Sequence, residues 1–134
     1  MSDLEEKRRE ALAPWQMTKR NAENNLEKYG WKKQKSNEAI VHLKLANGWL
    51  QNAITSLNDN YKTTASELGE EKRKLYSIRN EIAQDIITLE ENVMNIEKEI
   101  SKFEEIKENA QYHIDCINSI YWQPGCSGLT GENN

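Results

Sequence analysis

The chain has 134 residues, a formal net charge of −4 from 18 basic and 22 acidic side chains, and 30% charged content. That length allows one domain at most, and mixing both signs along the chain leaves no basic patch to recruit nucleic acid. The longest apolar runs, such as Ala39-Ile40-Val41, are far too short for a membrane span.

Turn formers are scarce, with 6 Gly and 2 Pro, and most of them (Pro14, Pro124, Gly125, Gly128, Gly131) lie near the ends. The interior is therefore suited to long helices. A hydrophobic content of 37% is low for a globular core but enough for narrow seams, in which only two positions of each heptad must be apolar. Met1-Ser2-Asp3 leads directly into charged residues without a secretory-signal pattern. The expectation is cytoplasmic synthesis without a signal peptide, with packaging into a particle or signal-free export as further fates.

The first arm is expected over residues 3–57. Its heptad places Trp15, Ala22, Tyr29, Ser36, Leu43, Leu50 and Leu57 at d. Leu12, Lys19, Leu26, Lys33, Ile40, Asn47, Ile54 and Tyr61 fall at a. The phase holds through Gly30, which favours a continuous or bent helix; a loop there is the alternative. Pro14 reads either as a kink or as an early helical residue behind a frayed start.

Asn58-Asp59-Asn60 favours a turn, because these side chains bond nearby backbone. Thr64 and Glu67 then have the spacing of a capping box, so the turn is expected near 58–63. The second arm, 64–121, carries the stronger heptad. Leu68, Leu75, Ile82, Leu89, Ile96, Phe103, Ala110 and Ile117 occupy d. Lys72, Arg79, Ile86, Val93, Ile100, Lys107, Ile114 and Tyr121 occupy a.

Matched arms of roughly 80–87 Å flanking a short turn predict an all-α, antiparallel helical hairpin or coiled coil over 1–122. Whether the arms pair within one chain or between two is left open by the heptads. Residues 123–134, with one Pro and three Gly, should form an extended tail.

Two helices bury only one stripe, and apolar residues lie outside it. Val41, Leu45 and Trp49 follow i, i+4, i+8 spacing, Trp31 lies off the seam, and Ile78, Ile106 and Ile120 occupy g. They form the expected partner or oligomer interface, pointing to a larger bundle. At the a positions, Lys72, Arg79 and Lys107 are expected to snorkel outward. Asn47 either fixes register or does the same.

Few residues are spaced for chemistry. Cys116, Cys126 and His113 could supply three metal ligands, but zinc usually takes four in paired spacings, so free thiols and no cofactor are expected, with a Cys116–Cys126 disulfide clipping the tail onto the helix as the alternative. His42 belongs to a helix flank. Glu70-Glu71, Glu90-Glu91 and Glu104-Glu105 point about 100° apart on a helix and read as solvated faces rather than acid–base dyads. No phosphate-binding, nucleophile-elbow or calcium-loop motif occurs, and no small-molecule substrate is implied.

The outline is similar to that of the small helical hairpins exported by type VII secretion systems. Their Trp-x-Gly turn motif is missing, since the turn reads Asn58-Asp59-Asn60, and Asn47-Gly48-Trp49 has the wrong order and lies inside an arm. No function carries across. The leading expectation is a non-enzymatic structural or assembly protein, such as a virion or particle component, acting through helix–helix contacts with a protein partner or its own copies. The alternatives are a small acidic adaptor or inhibitor on the surface of a larger enzyme, and a Cys/His metal-binding protein.

Overall fold

The structure, a computed structural model, describes residues 3–60 and 65–124. Two helices, α1 (Asp3–Asn60) and α2 (Ala65–Asn118), account for nearly all of them, and no strand occurs among the described residues. They pack against each other as an all-α helical hairpin, the expected fold class, and the pairing is made within one chain. None of the described helices is long and apolar enough to cross a membrane.

α1 opens with Asp3, Glu5 and Glu6, whose carboxylates favour the positive end of the helix dipole. It is helical from Asp3, so Pro14 lies inside it and the frayed start does not occur. Proline removes one backbone donor there, and the Thr18 hydroxyl donates to the Pro14 carbonyl at 3.0 Å. α1 also runs unbroken through Gly30, which decides against a loop.

The chain divides into two compact units, Met1–Trp31 with Lys98–Asn134, and Lys32–Glu97. In the first, Trp15 stacks on His113 with ring centroids 4.0 Å apart, and Tyr29 stacks on Phe103 at 5.8 Å. Glu23 meets Lys107 at 3.6 Å. Partner numbers fall as α1 numbers rise, the mark of antiparallel helices. Ala22, Ala110 and Ile117 are buried at its centre.

In the second unit the same order holds. Lys33 pairs with Glu97 at 3.1 Å and Lys44 with Glu90 at 3.4 Å. Arg79 donates to Gln51 at 2.7 Å, and Asn58 donates to the Tyr76 hydroxyl at 3.0 Å. Such exposed ion pairs contribute about 0–1 kcal/mol each, so they favour a register more than they hold the helices together. Burial does the holding, through Ile40, Ile54 and Ile86.

Every described a and d residue from Leu12 to Leu57 is buried or half-buried, as are those from Leu68 to Ile117. The expected seam residues Leu43, Leu50, Leu57, Leu75, Ile82, Leu89, Ile96 and Phe103 are half-buried, and Ile117 is fully covered. Lys33 and Lys107 reach glutamates on the facing helix, while the Arg79 guanidinium lies 4.9 Å over the Tyr76 ring. The Asn47 amide oxygen is covered without a hydrogen-bond partner, which costs about 1–3 kcal/mol.

The ends differ from the expectation. Asn58, Asp59 and Asn60 belong to α1 rather than to the turn, because helical hydrogen bonding and the Asn58–Tyr76 contact outweigh their turn preference. The rest of the expected turn, 61–63, and Tyr61 and Thr64 lie outside the described residues. So does the tail from 125 onward, with Cys126.

α2 stops at Asn118, not 121. The Ser119 amide donates to the Cys116 carbonyl at 3.2 Å, and Trp122 donates to the Ser119 carbonyl at 3.2 Å. The Ser119 hydroxyl oxygen accepts from the Tyr121 amide at 3.1 Å, a local bond that competes with helix continuation. Tyr121 is therefore not a seam residue; it is 84% exposed, whereas Trp122 turns inward and is only 8% exposed.

Candidate protein-binding faces

Two places depart from a plain paired helix: a closed cluster in the first unit and an open apolar face in the second. The cluster forms where Arg8 of α1 meets the end of α2. Its Nη1 donates to the Ile117 carbonyl at 2.6 Å and to the Ser119 carbonyl at 3.1 Å. The last turn of α2 contains no basic residue of its own. Arg8 thus supplies the cation that helix C-termini favour, from the other helix. Its guanidinium also lies 5.5 Å over the Trp122 ring.

His113 is buried in this cluster, between Trp15 and the edge of Tyr112, whose ring centroid is 5.4 Å away. The half-buried Cys116 is a free thiol. Among the described residues no three His, Cys, Asp or Glu side chains gather as metal ligands would. A hydrogen bond with Cys116, then the charge of that thiol, raise the Tyr112 phenol above its ordinary value of 10.0.

Raising a phenol favours its neutral form in the folded chain. No effect on stability is expected below the unfolded tyrosine's value, and stability falls as pH rises through and beyond it. The Tyr112→Phe difference in an ultraviolet titration should show Tyr112 ionising above its ordinary value, and Cys116→Ser should lower it; an unchanged curve would refute the Cys116 contact.

The open face lies on α1 in the second unit. Val41, Leu45 and Trp49 are 55%, 57% and 77% exposed, on one outward stripe at i, i+4, i+8. On α2, Ile78 at g is 44% exposed. Sequence reasoning missed Ile87 and Met94, which are 48% and 59% exposed and lie seven residues apart at b; that spacing was the available signal. Trp31, in the first unit, is exposed, whereas Ile106 is half-buried on the flank of the seam. Ile120 is exposed but lies past the end of α2, so it does not extend a helical face.

Charge is missing from this part of α1 as well. Between Glu38 and Asp59 the only formally charged residue is Lys44, and it is engaged with Glu90. At the chain's 30% charged content, a stretch of this length would hold about six. Gly48 lies in the same stripe, and a Cβ there would meet nothing within 4 Å. A mid-helix glycine costs about 1 kcal/mol relative to alanine, and no contact within the chain requires it.

A groove of about 530 Å³ runs along the start of this face, lined by Lys33, Gln34, Asn37, Glu38, Val41 and His42. All of these belong to α1, so among the described residues it is a surface trough rather than an enclosed pocket. His42 is exposed beside it. Glu70, Glu71, Glu90, Glu91, Glu104 and Glu105 are likewise exposed.

No known protein family matches the chain, and neither a curated protein nor a solved structure shows significant similarity to it.

Proposed function

We propose that this chain is a non-enzymatic helical protein that works through helix–helix contacts with other protein surfaces, as a structural or assembly component of a multi-subunit particle. The observation that carries this reading is the apolar stripe of Val41, Leu45 and Trp49 on an outward, almost uncharged face of α1. A water-facing surface gains nothing from three large apolar side chains in register, whereas a facing helix buries them. A tryptophan at the end of such a stripe is the residue type that most often anchors a protein interface.

The test is to place a photo-crosslinking amino acid at Trp49 and irradiate the full chain in its native source. The proposal expects adducts with one protein, or with further copies of the chain, in stoichiometric yield. A stoichiometric adduct with one larger enzyme would instead favour the adaptor reading. Adducts scattered at trace level, equal to those from a control site at Glu91, would refute a dedicated interface.

A further inference from the structure

We infer that two copies of this chain exchange arms. Each α1 then pairs with α2 of the other copy, and the helix of each chain continues through the junction between them. The exchange uses the seam already described and leaves the Val41–Leu45–Trp49 stripe outside it.

The apolar edge does not stop at the boundary between the arms. Ile54, Leu57, Tyr61, Ala65 and Leu68 follow one another at spacings of 3, 4, 4 and 3. Two successive fours are a four-residue stutter, which a coiled coil absorbs by unwinding locally. Leu57 and Leu68, both at d, are 11 residues apart. On an unbroken helix that spacing returns them to within about 20° of one face. A closed hairpin makes no such demand, because a reversal frees the edge of each arm from the phase of the other.

The helices already reach almost to each other. α1 runs through Asn60 and α2 begins at Ala65, and Asn58-Asp59-Asn60 is helical despite its turn preference. From Asn58 to Glu67 there is neither Gly nor Pro, the strongest determinants of a tight reversal. Short connections between long paired elements invite exchange, since the same helices find a second copy without losing a contact.

The facing contacts suit such a pair. Lys33–Glu97, Gln51–Arg79 and Glu23–Lys107 each have their midpoint at residue 65. A two-fold axis beside that residue reproduces each of them twice between the copies. In the exchanged pair Tyr61 and Ala65 extend the seam up to the axis, next to Leu68. At low concentration the closed hairpin wins, because the arms of one chain meet at a high effective concentration. Refolding at roughly 100 µM and above should favour exchange.

The full chain, unfolded in guanidinium and refolded between about 1 µM and several hundred micromolar, should shift in mass from 15.6 kDa to twice that value. In a Cys116→Ser, Cys126→Ser background, Lys33→Cys and Glu97→Cys chains refolded together should be joined to one another by a short bismaleimide. Neither should be joined to itself, which separates exchange from hairpins lying side by side.

Insertions after Lys62 read the phase. Three alanines set Leu57 and Leu68 two whole heptads apart and should lower the concentration for half exchange about tenfold. Five alanines carry the second edge about 160° round a continuous helix and should raise that concentration at least about tenfold. A 15.6 kDa mass at every refolding concentration overturns the exchange. So does a dimer in which positions 33 and 97 do not join, or equal behaviour of the two insertions.

Discussion

Replacing Ile54 with alanine should lower the unfolding free energy by about 2–5 kcal/mol, the range for a large aliphatic removed from a packed core. Ile54 occupies an a position of α1 and is 1% exposed, the most covered large side chain of its unit. The loss combines the transfer energy of the deleted methylene and methyl groups with the void they leave. Long helices on either side cannot close that void without breaking the register of neighbouring a and d layers.

The control is Ile87→Ala, at a position that is 48% exposed on the same pair of helices. It should cost no more than about 0.5 kcal/mol. Urea unfolding followed by circular dichroism at low micromolar concentration checks both and keeps association from adding to stability. Equal losses at the two sites would mean that the seam is not where the stabilising burial lies.

The second large effect is expected at the opposite kind of place, beyond the end of a helix. Trp122→Ala should cost about 3 kcal/mol, although Trp122 sits in a turn and outside both heptads. Its ring is 8% exposed and lies under the Arg8 guanidinium, which also holds the Ile117 and Ser119 carbonyls. Removing the indole opens that guanidinium to water and uncovers the end of α2.

Arg8→Lys keeps the charge but not the planar fork, and should cost about 1–2 kcal/mol. Amide hydrogen exchange gives the sharper readout. Both variants should speed exchange in the last turns of α2 while leaving Ile40 and Ile54 protected. Exchange raised uniformly along the chain would show that Trp122 contributes general stability and no local clasp.

Much of this architecture is legible in the amino-acid order. The described a and d residues of the two heptads, from Leu12 to Leu57 and from Leu68 to Ile117, are at least half covered, because a side chain on a paired helix returns to the seam every 3.5 residues, whereas the buried His113 lies at g and outside them. Their change of phase falls between Leu57 and Leu68, the interval in which α1 ends and α2 begins. The stripe at Val41, Leu45 and Trp49 is visible for the same reason, as a periodic apolar set that the seam leaves over.

The misses have a common cause. Asn58, Asp59 and Asn60 carry a local turn preference, yet a helix already held by its seam extends through them. Tyr121 continues the heptad arithmetic, but the Ser119 turn ends α2 before it. Ile120 falls on a helical face only if the helix continues, which it does not.

Sequence by itself determined the helices, their apolar edges and the uncharged outward face, since each is a periodic property written along a single helix. Only tertiary structure decided that the arms pair within one chain, that Arg8 caps the end of α2 through carbonyls 109 and 111 positions away, and that Trp122 turns inward. Those contacts join groups distant in sequence, and no repeat length encodes which distant groups a folded chain brings together.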